Sequence, residues 1–119
     1  MSRLPAVFIW DVRHACAAIE AFVVGADLDR YRSDAMLRSA VERQLQNIGE
    51  ALSQLSRIDP ALAARVPRHR QLIGLRNILV HGYAGLNDEE VWAVLQANLP
   101  ELHASVTALT LELGAPQTP

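Results

Sequence analysis

The segment RNILVHGY, residues 76–83, sets an arginine, an asparagine, a histidine and a tyrosine within eight positions. These side chains suit phosphodiester chemistry. Histidine exchanges protons near neutral pH, so, if RNA is the substrate, His81 could remove the 2′-hydroxyl proton or protonate the leaving 5′ oxygen. Arg76 can neutralise the phosphate as its charge redistributes in the transition state. Asn77 can orient His81 or bind a phosphate oxygen. Tyr83 can hydrogen-bond, stack on a base or carry a modification. One histidine cannot easily act as both base and acid in a concerted step, and a second subunit bringing another Arg76–His81 pair would supply the missing group.

The geometry leaves the roles open. Residues advance about 100° each on a helix, so Asn77 and His81 share a side while Arg76 lies roughly 140° from His81. The two converge only if the long arginine reaches around and the helix end frays at Gly82. By itself, residue chemistry favours a capped, hydrogen-bonded structural helix end over a catalytic one.

Charge is distributed unevenly over a chain of 119 residues with formal net charge −2. Between Asp59 and Asp88 there is no acid, but there are Arg65, Arg68, Arg70 and Arg76 with His69 and His81. From Asp88 onward Asp88, Glu89, Glu90, Glu101 and Glu112 occur without arginine or lysine. Every fixed side-chain cation is arginine, whose planar fork suits phosphate, although a basic solvated face is the plainer account.

Other chemistries find little support. Cys16, the single cysteine, excludes an intramolecular disulfide and reads as a buried thiol. His14, His69, His81 and His103 form no H-x-x-H or H-E-x-x-H pattern, so no metal site or cofactor is expected. No phosphate-binding glycine loop and no G-x-S-x-G elbow occurs. The absence of a signal segment or a long uncharged apolar span predicts a cytoplasmic protein without a membrane partner.

Half the residues are apolar and only 5% aromatic, with alanine and leucine abundant, which predicts an all-α domain over residues 1–119. A first helix is expected from about Pro5 to Val24, stopped by Gly25, with Asp11 and His14 able to pair laterally. GADLDRYRSD reads as a polar connection, and Ser33 or Asp34 caps the next helix. Leu37, Val41, Leu45, Ile48, Leu52 and Leu55 then recur at spacings of 4, 4, 3, 4 and 3, one long packing stripe. Gly49 within it calls for a close helix crossing, and Asn47 and Glu50 beside it can border a polar cleft. Asp59-Pro60 opens a short helix. A further helix starts near Arg68 to Gln71 and ends at Gly82. Asp88 is expected to cap EEVWAVLQANL, and Pro100 to kink or divide this last arm. The prediction is a four-helix bundle with an additional short helix, and a flexible tail near 114–119.

RNILVHGY resembles the R-x4-H-x-Y signature of HepT-type toxins in the HEPN superfamily, with Arg76, Asn77, His81 and Tyr83 on the motif positions. IGL at 73–75, NIGEAL at 47–52, DEEVW at 88–92 and NLPEL at 98–102 are similar to the same family, so the resemblance spans about Phe8 to Leu109. It implies a HEPN-like four-helix bundle in which Arg76 and His81 form a metal-independent ribonuclease site, in a cleft between the subunits of a homodimer. It implies a toxin–antitoxin pairing with a small nucleotidyltransferase that adds AMP to Tyr83. VPRHR at 66–70 lacks the tryptophan often found after the proline, and Gly82 stands where an acid is frequent. The alternative is a noncatalytic helical subunit that binds, or is modified by, the nucleotidyltransferase.

Overall fold

The computed structural model describes residues 4–82 and 87–114, all regular structure within them being helical. α1 spans Pro5–Val23, α2 Leu28–Ser33, α3 Ala35–Ile58, α4 Pro60–Ala64, α5 His69–His81, α6 Asp88–Ala97 and α7 Leu99–Leu113. α3 is the central element, packing α1 on one side and α5 on another, while α7 lies against α1.

Local sequence explains the boundaries. Pro5 opens α1, where a missing N–H goes unmissed, and Gly25 follows its end at φ +75°. The Asp34 carboxylate accepts the Leu37 N–H at 3.0 Å to start α3. That bond, helped by Arg30, holds its carboxyl below the usual range. Asp59 caps α4 through the Leu62 N–H at 3.1 Å. Gly82 terminates α5 in the left-handed region, φ +65°, its N–H donating to the Ile78 carbonyl at 2.9 Å.

Two elements differ from expectation, and a third takes one of two expected forms. GADLDRYRSD contains α2, because Asp27 caps it through Arg30 and Tyr31 finds a fully buried seat, its ring centroid 5.4 Å from that of Trp92. Asn87, not Asp88, caps α6, accepting the Glu90 N–H at 2.9 Å. Asp88 and Glu89 are helical instead and lie against Arg38 and Arg32, tying α6 to α2 and α3. The last arm is divided, one of the two outcomes expected of Pro100: Asn98 ends α6 on the Val94 carbonyl and begins α7 by accepting from Leu102, with Pro100 in the first turn. The bundle thus carries two short helices rather than one. The expected flexible tail lies outside the described residues from 115 onward.

The α3 stripe reaches the core as its spacing requires, with Val41, Leu45, Ile48, Leu52 and Leu55 buried against Ile9, Val12 and Ile19 of α1. Cys16 is fully buried, and burial, with the Glu20 charge adding to it, pushes its thiol up to about 12, so it carries no reactive thiolate.

Two helical glycines have opposite surroundings. A Cβ on Gly49 would stand 2.2 Å from the Arg76 Cβ and 2.8 Å from the Leu72 carbonyl oxygen. Neither atom is the end of a flexible chain, so α3 and α5 can approach this closely only over a bare backbone. A Cβ on Gly74 would meet nothing within 4 Å. Gly49→Ala is therefore expected to destabilise the fold by roughly 1–3 kcal/mol through overpacking. Gly74→Ala is expected to stabilise it by about 0.5–1 kcal/mol through helix propensity. Urea titrations followed by circular dichroism check both signs; a Gly49→Ala protein as stable as the parent would contradict the crossing.

Candidate functional site

The α3–α5 crossing determines where Arg76 points. Leu72 and Leu75 bury the inner face of α5, and Arg76 lies at the edge of that face, its Cβ over Gly49. Its guanidinium then meets Glu50, the residue after the glycine, with Nη2 2.8 Å from Oε2. Nη1 donates to the Asn77 side-chain oxygen at 2.9 Å. Glu50 is held from the other side as well, its Oε1 accepting from Gln54 Nε2 at 2.9 Å. Arg76 is thus oriented by a carboxylate and an amide, and Asn77 is one turn from His81 on the same side of α5.

His81 is the last residue of α5 and is exposed. The Gly82 turn ends the helix immediately beyond it. Tyr83, the fourth residue of the candidate set, lies outside the described residues. The structure therefore brings Arg76, Asn77 and Glu50 into contact, and sets His81 on the exposed side at the helix end.

Asn47 and Glu50 border a polar cleft of about 450 Å³ between α1 and α3, lined also by Phe8, Asp11, His14 and Gln44. Asn47 Nδ2 donates to Gln44 Oε1 at 3.3 Å, and the His14 ring stacks at a tilt on Trp10 with centroids 3.9 Å apart. Glu50 links this cleft to Arg76. Its pairing with Arg76 was not foreseen from sequence, although Gly49 marked the crossing and so marked its neighbour as a residue facing α5. Among the described residues no group of three or more His, Cys, Asp and Glu side chains could hold a metal ion, and no helix is long and apolar enough to cross a membrane.

The described residues form an all-α bundle with Arg76 and His81 on the last turns of α5. Residues 12–109 match the family described as Ribonuclease HepT-like, and the chain belongs to that family, with its HEPN-like all-α fold. It is 28% identical over 99 residues to "Putative RNase MJ1380" of Methanocaldococcus jannaschii, covering 83% of this chain and 90% of that protein. It is 26% identical over 102 residues to "Probable ribonuclease HepT" of Thermococcus cleftensis, covering 86% and 92% respectively. No solved structure matches the chain at a significant level.

The Arg76–Glu50 pair is partly open to solvent, with side chains 29% and 42% exposed, so screening limits its contribution. Alanine at 76 also retains the Cβ that packs over Gly49. Arg76→Ala and Glu50→Gln are each expected to lower stability by less than about 1 kcal/mol, with a coupling of roughly 0.2–1 kcal/mol in a double-mutant cycle. Chemical denaturation of the four proteins measures it, and a zero coupling would mean the pair does not hold in solution.

Proposed function

We propose that this protein is a metal-independent endoribonuclease, the toxin component of a toxin–antitoxin pair, acting through Arg76 and His81. The observation that carries the reading is the arrangement at the end of α5: an arginine oriented by Asn77 and Glu50, five residues before an exposed histidine, in a chain of the ribonuclease HepT-like family. The names of its relatives support the substrate class.

In this mechanism the RNA phosphate displaces the Glu50 carboxylate from Arg76, since both anions compete for one guanidinium fork. Arg76 stabilises the charge that builds on the phosphate oxygens. His81 takes the 2′-hydroxyl proton as that oxygen attacks phosphorus. The bond to the 5′ oxygen breaks, and that oxygen receives a proton from the His81 of a second copy. The products are a 2′,3′-cyclic phosphate and a 5′-hydroxyl. A homodimer with two opposed helix ends supplies both histidines, and Asn77 supports Arg76 or the substrate phosphate.

Regulation acts at Tyr83. A nucleotidyltransferase antitoxin adds AMP to this tyrosine, two residues beyond His81, and the added phosphate introduces negative charge and bulk where the substrate phosphate must bind. A second reading, a noncatalytic subunit that binds the nucleotidyltransferase, draws on one feature: Arg76 already has its charge compensated by Glu50.

Unmodified protein incubated with cellular RNA is expected to give fragments ending in 2′,3′-cyclic phosphate. Arg76→Ala and His81→Ala are expected to cut at least about 100-fold more slowly. Equal cleavage by parent and variants would overturn the mechanism, and a stable nucleotidyltransferase complex without cleavage would favour the second reading. After co-expression with the nucleotidyltransferase, intact-mass spectrometry is expected to find added AMP that Tyr83→Phe abolishes. A competent complex whose Tyr83 peptide stays unmodified would remove the regulatory step.

A further inference from the structure

At the opposite end of α5 from His81, the end of α3, α4 and the first turn of α5 enclose a cleft of about 310 Å³. Its lining includes Ser56, Pro60, His69, Arg70 and Ile73. Ser56 donates its hydroxyl proton to the Ser53 carbonyl at 2.8 Å, which leaves His69 and Arg70 as the side-chain donors. We propose that this cleft is a second RNA-backbone subsite, binding a phosphodiester remote from the one that is cut; the proposal rests on the ribonuclease reading.

Charge is the first argument. Arg65 is committed to Glu112 at 2.5 Å and Arg76 to Glu50 at 2.8 Å. Arg68 and Arg70 are exposed and have no carboxylate partner among the described residues. Among the described residues Arg30, Arg32 and Arg38 are also paired, with Asp34, Glu89 and Asp88. Among those same residues Arg13, Arg43 and Arg57 on α1 and α3 share the unpaired state of Arg68 and Arg70 but line no part of this cleft. An exposed guanidinium beside a cleft, in a stretch without acids from 60 to 87, suits phosphate.

Position is the second. Arg70, Gly74, Asn77 and His81 follow at intervals of 4, 3 and 4. At about 100° per residue they fall within roughly 60° of arc on one side of α5. The stripe runs roughly 16 Å from Arg70 to His81. A nucleic-acid strand advances about 3.4 Å per phosphate along a duplex axis, and more when extended, so that length spans a few nucleotides.

Gly74 supplies the third argument. A glycine inside a helix is unfavourable by about 1 kcal/mol relative to alanine, and Gly49 has its reason within the chain. Gly74 has none, because the space over its backbone is open. The missing side chain lies midway along the stripe, where a strand running from Arg70 to His81 would need to approach the helix closely.

The test uses a single-stranded 12-nucleotide RNA with 2′-O-methyl groups, which lacks the attacking hydroxyl and cannot be cut by this route. Binding is followed by fluorescence anisotropy over a range of salt. Arg70→Gln is expected to weaken binding several-fold and to make the plot of log affinity against log salt shallower by about 0.7, the value for one phosphate contact on a single strand. Gly74→Leu, whose side chain enters open space, is expected to weaken binding while retaining the helical spectrum. Arg43→Gln, which removes an exposed cation from α3, is the control and is expected to leave the slope in place. An unchanged slope for Arg70→Gln in a protein that binds and cleaves RNA overturns the subsite alone. An equal change for Arg43→Gln also overturns it, since the effect would then be one of net charge. A parent protein that neither binds nor cleaves RNA overturns both the subsite and the ribonuclease reading.

Discussion

The close crossing of α3 and α5 over Gly49 is the constraint from which the site follows. With no side chain at 49, the Arg76 Cβ and the Leu72 carbonyl can occupy the space that any other residue would fill. Interhelical distance at this point is set by backbone against backbone, so the register between the helices cannot drift without a clash. That register places Glu50 beside the Arg76 guanidinium, and Gln54, one turn further along α3, holds the carboxylate from behind. Orientation of one arginine is thus a consequence of where a glycine stands on another helix.

Electrostatics divides α5 into two ends of different character. Near the crossing, Arg76 is compensated and geometrically held, so an incoming phosphate must compete with a carboxylate. Near its start, Arg70 is exposed, and the space over Gly74 one turn further on is open. The stripe from Arg70 through Asn77 to His81 is nearly opposite the face that carries Leu72 and Leu75 into the core. Packing and presentation therefore use separate sides of one helix, and substitutions on the exposed side can alter charge without removing buried apolar surface.

Much of the fold was legible because the signals were local. The 4, 4, 3, 4, 3 spacing from Leu37 to Leu55 could be satisfied only by a long amphipathic helix, and five of those six side chains are buried. Asp34, Asp59 and Gly82 mark boundaries that depend on hydrogen bonds within a few residues. The failures were of two kinds. Asn87 and Asp88 are both competent caps, and neighbouring residues cannot be ranked by type alone. GADLDRYRSD is rich in turn formers, yet α2 forms because Tyr31 packs near Trp92, more than sixty positions away.

The candidate site divides along the same line. Sequence by itself determined which groups are available: Arg76, Asn77, His81 and Tyr83, their order on a helix ending at glycine, and the absence of acids around them. It also showed that Arg76 and His81 diverge around the helix axis, because residue spacing fixes that angle. Only tertiary structure decided that Arg76 turns toward Glu50 and Asn77, that Arg70 borders a cleft, and that Gly49 faces another helix while Gly74 faces open space. A glycine reads the same in sequence whether another helix lies against it or nothing does, and the difference depends on neighbours that the chain brings in from far away.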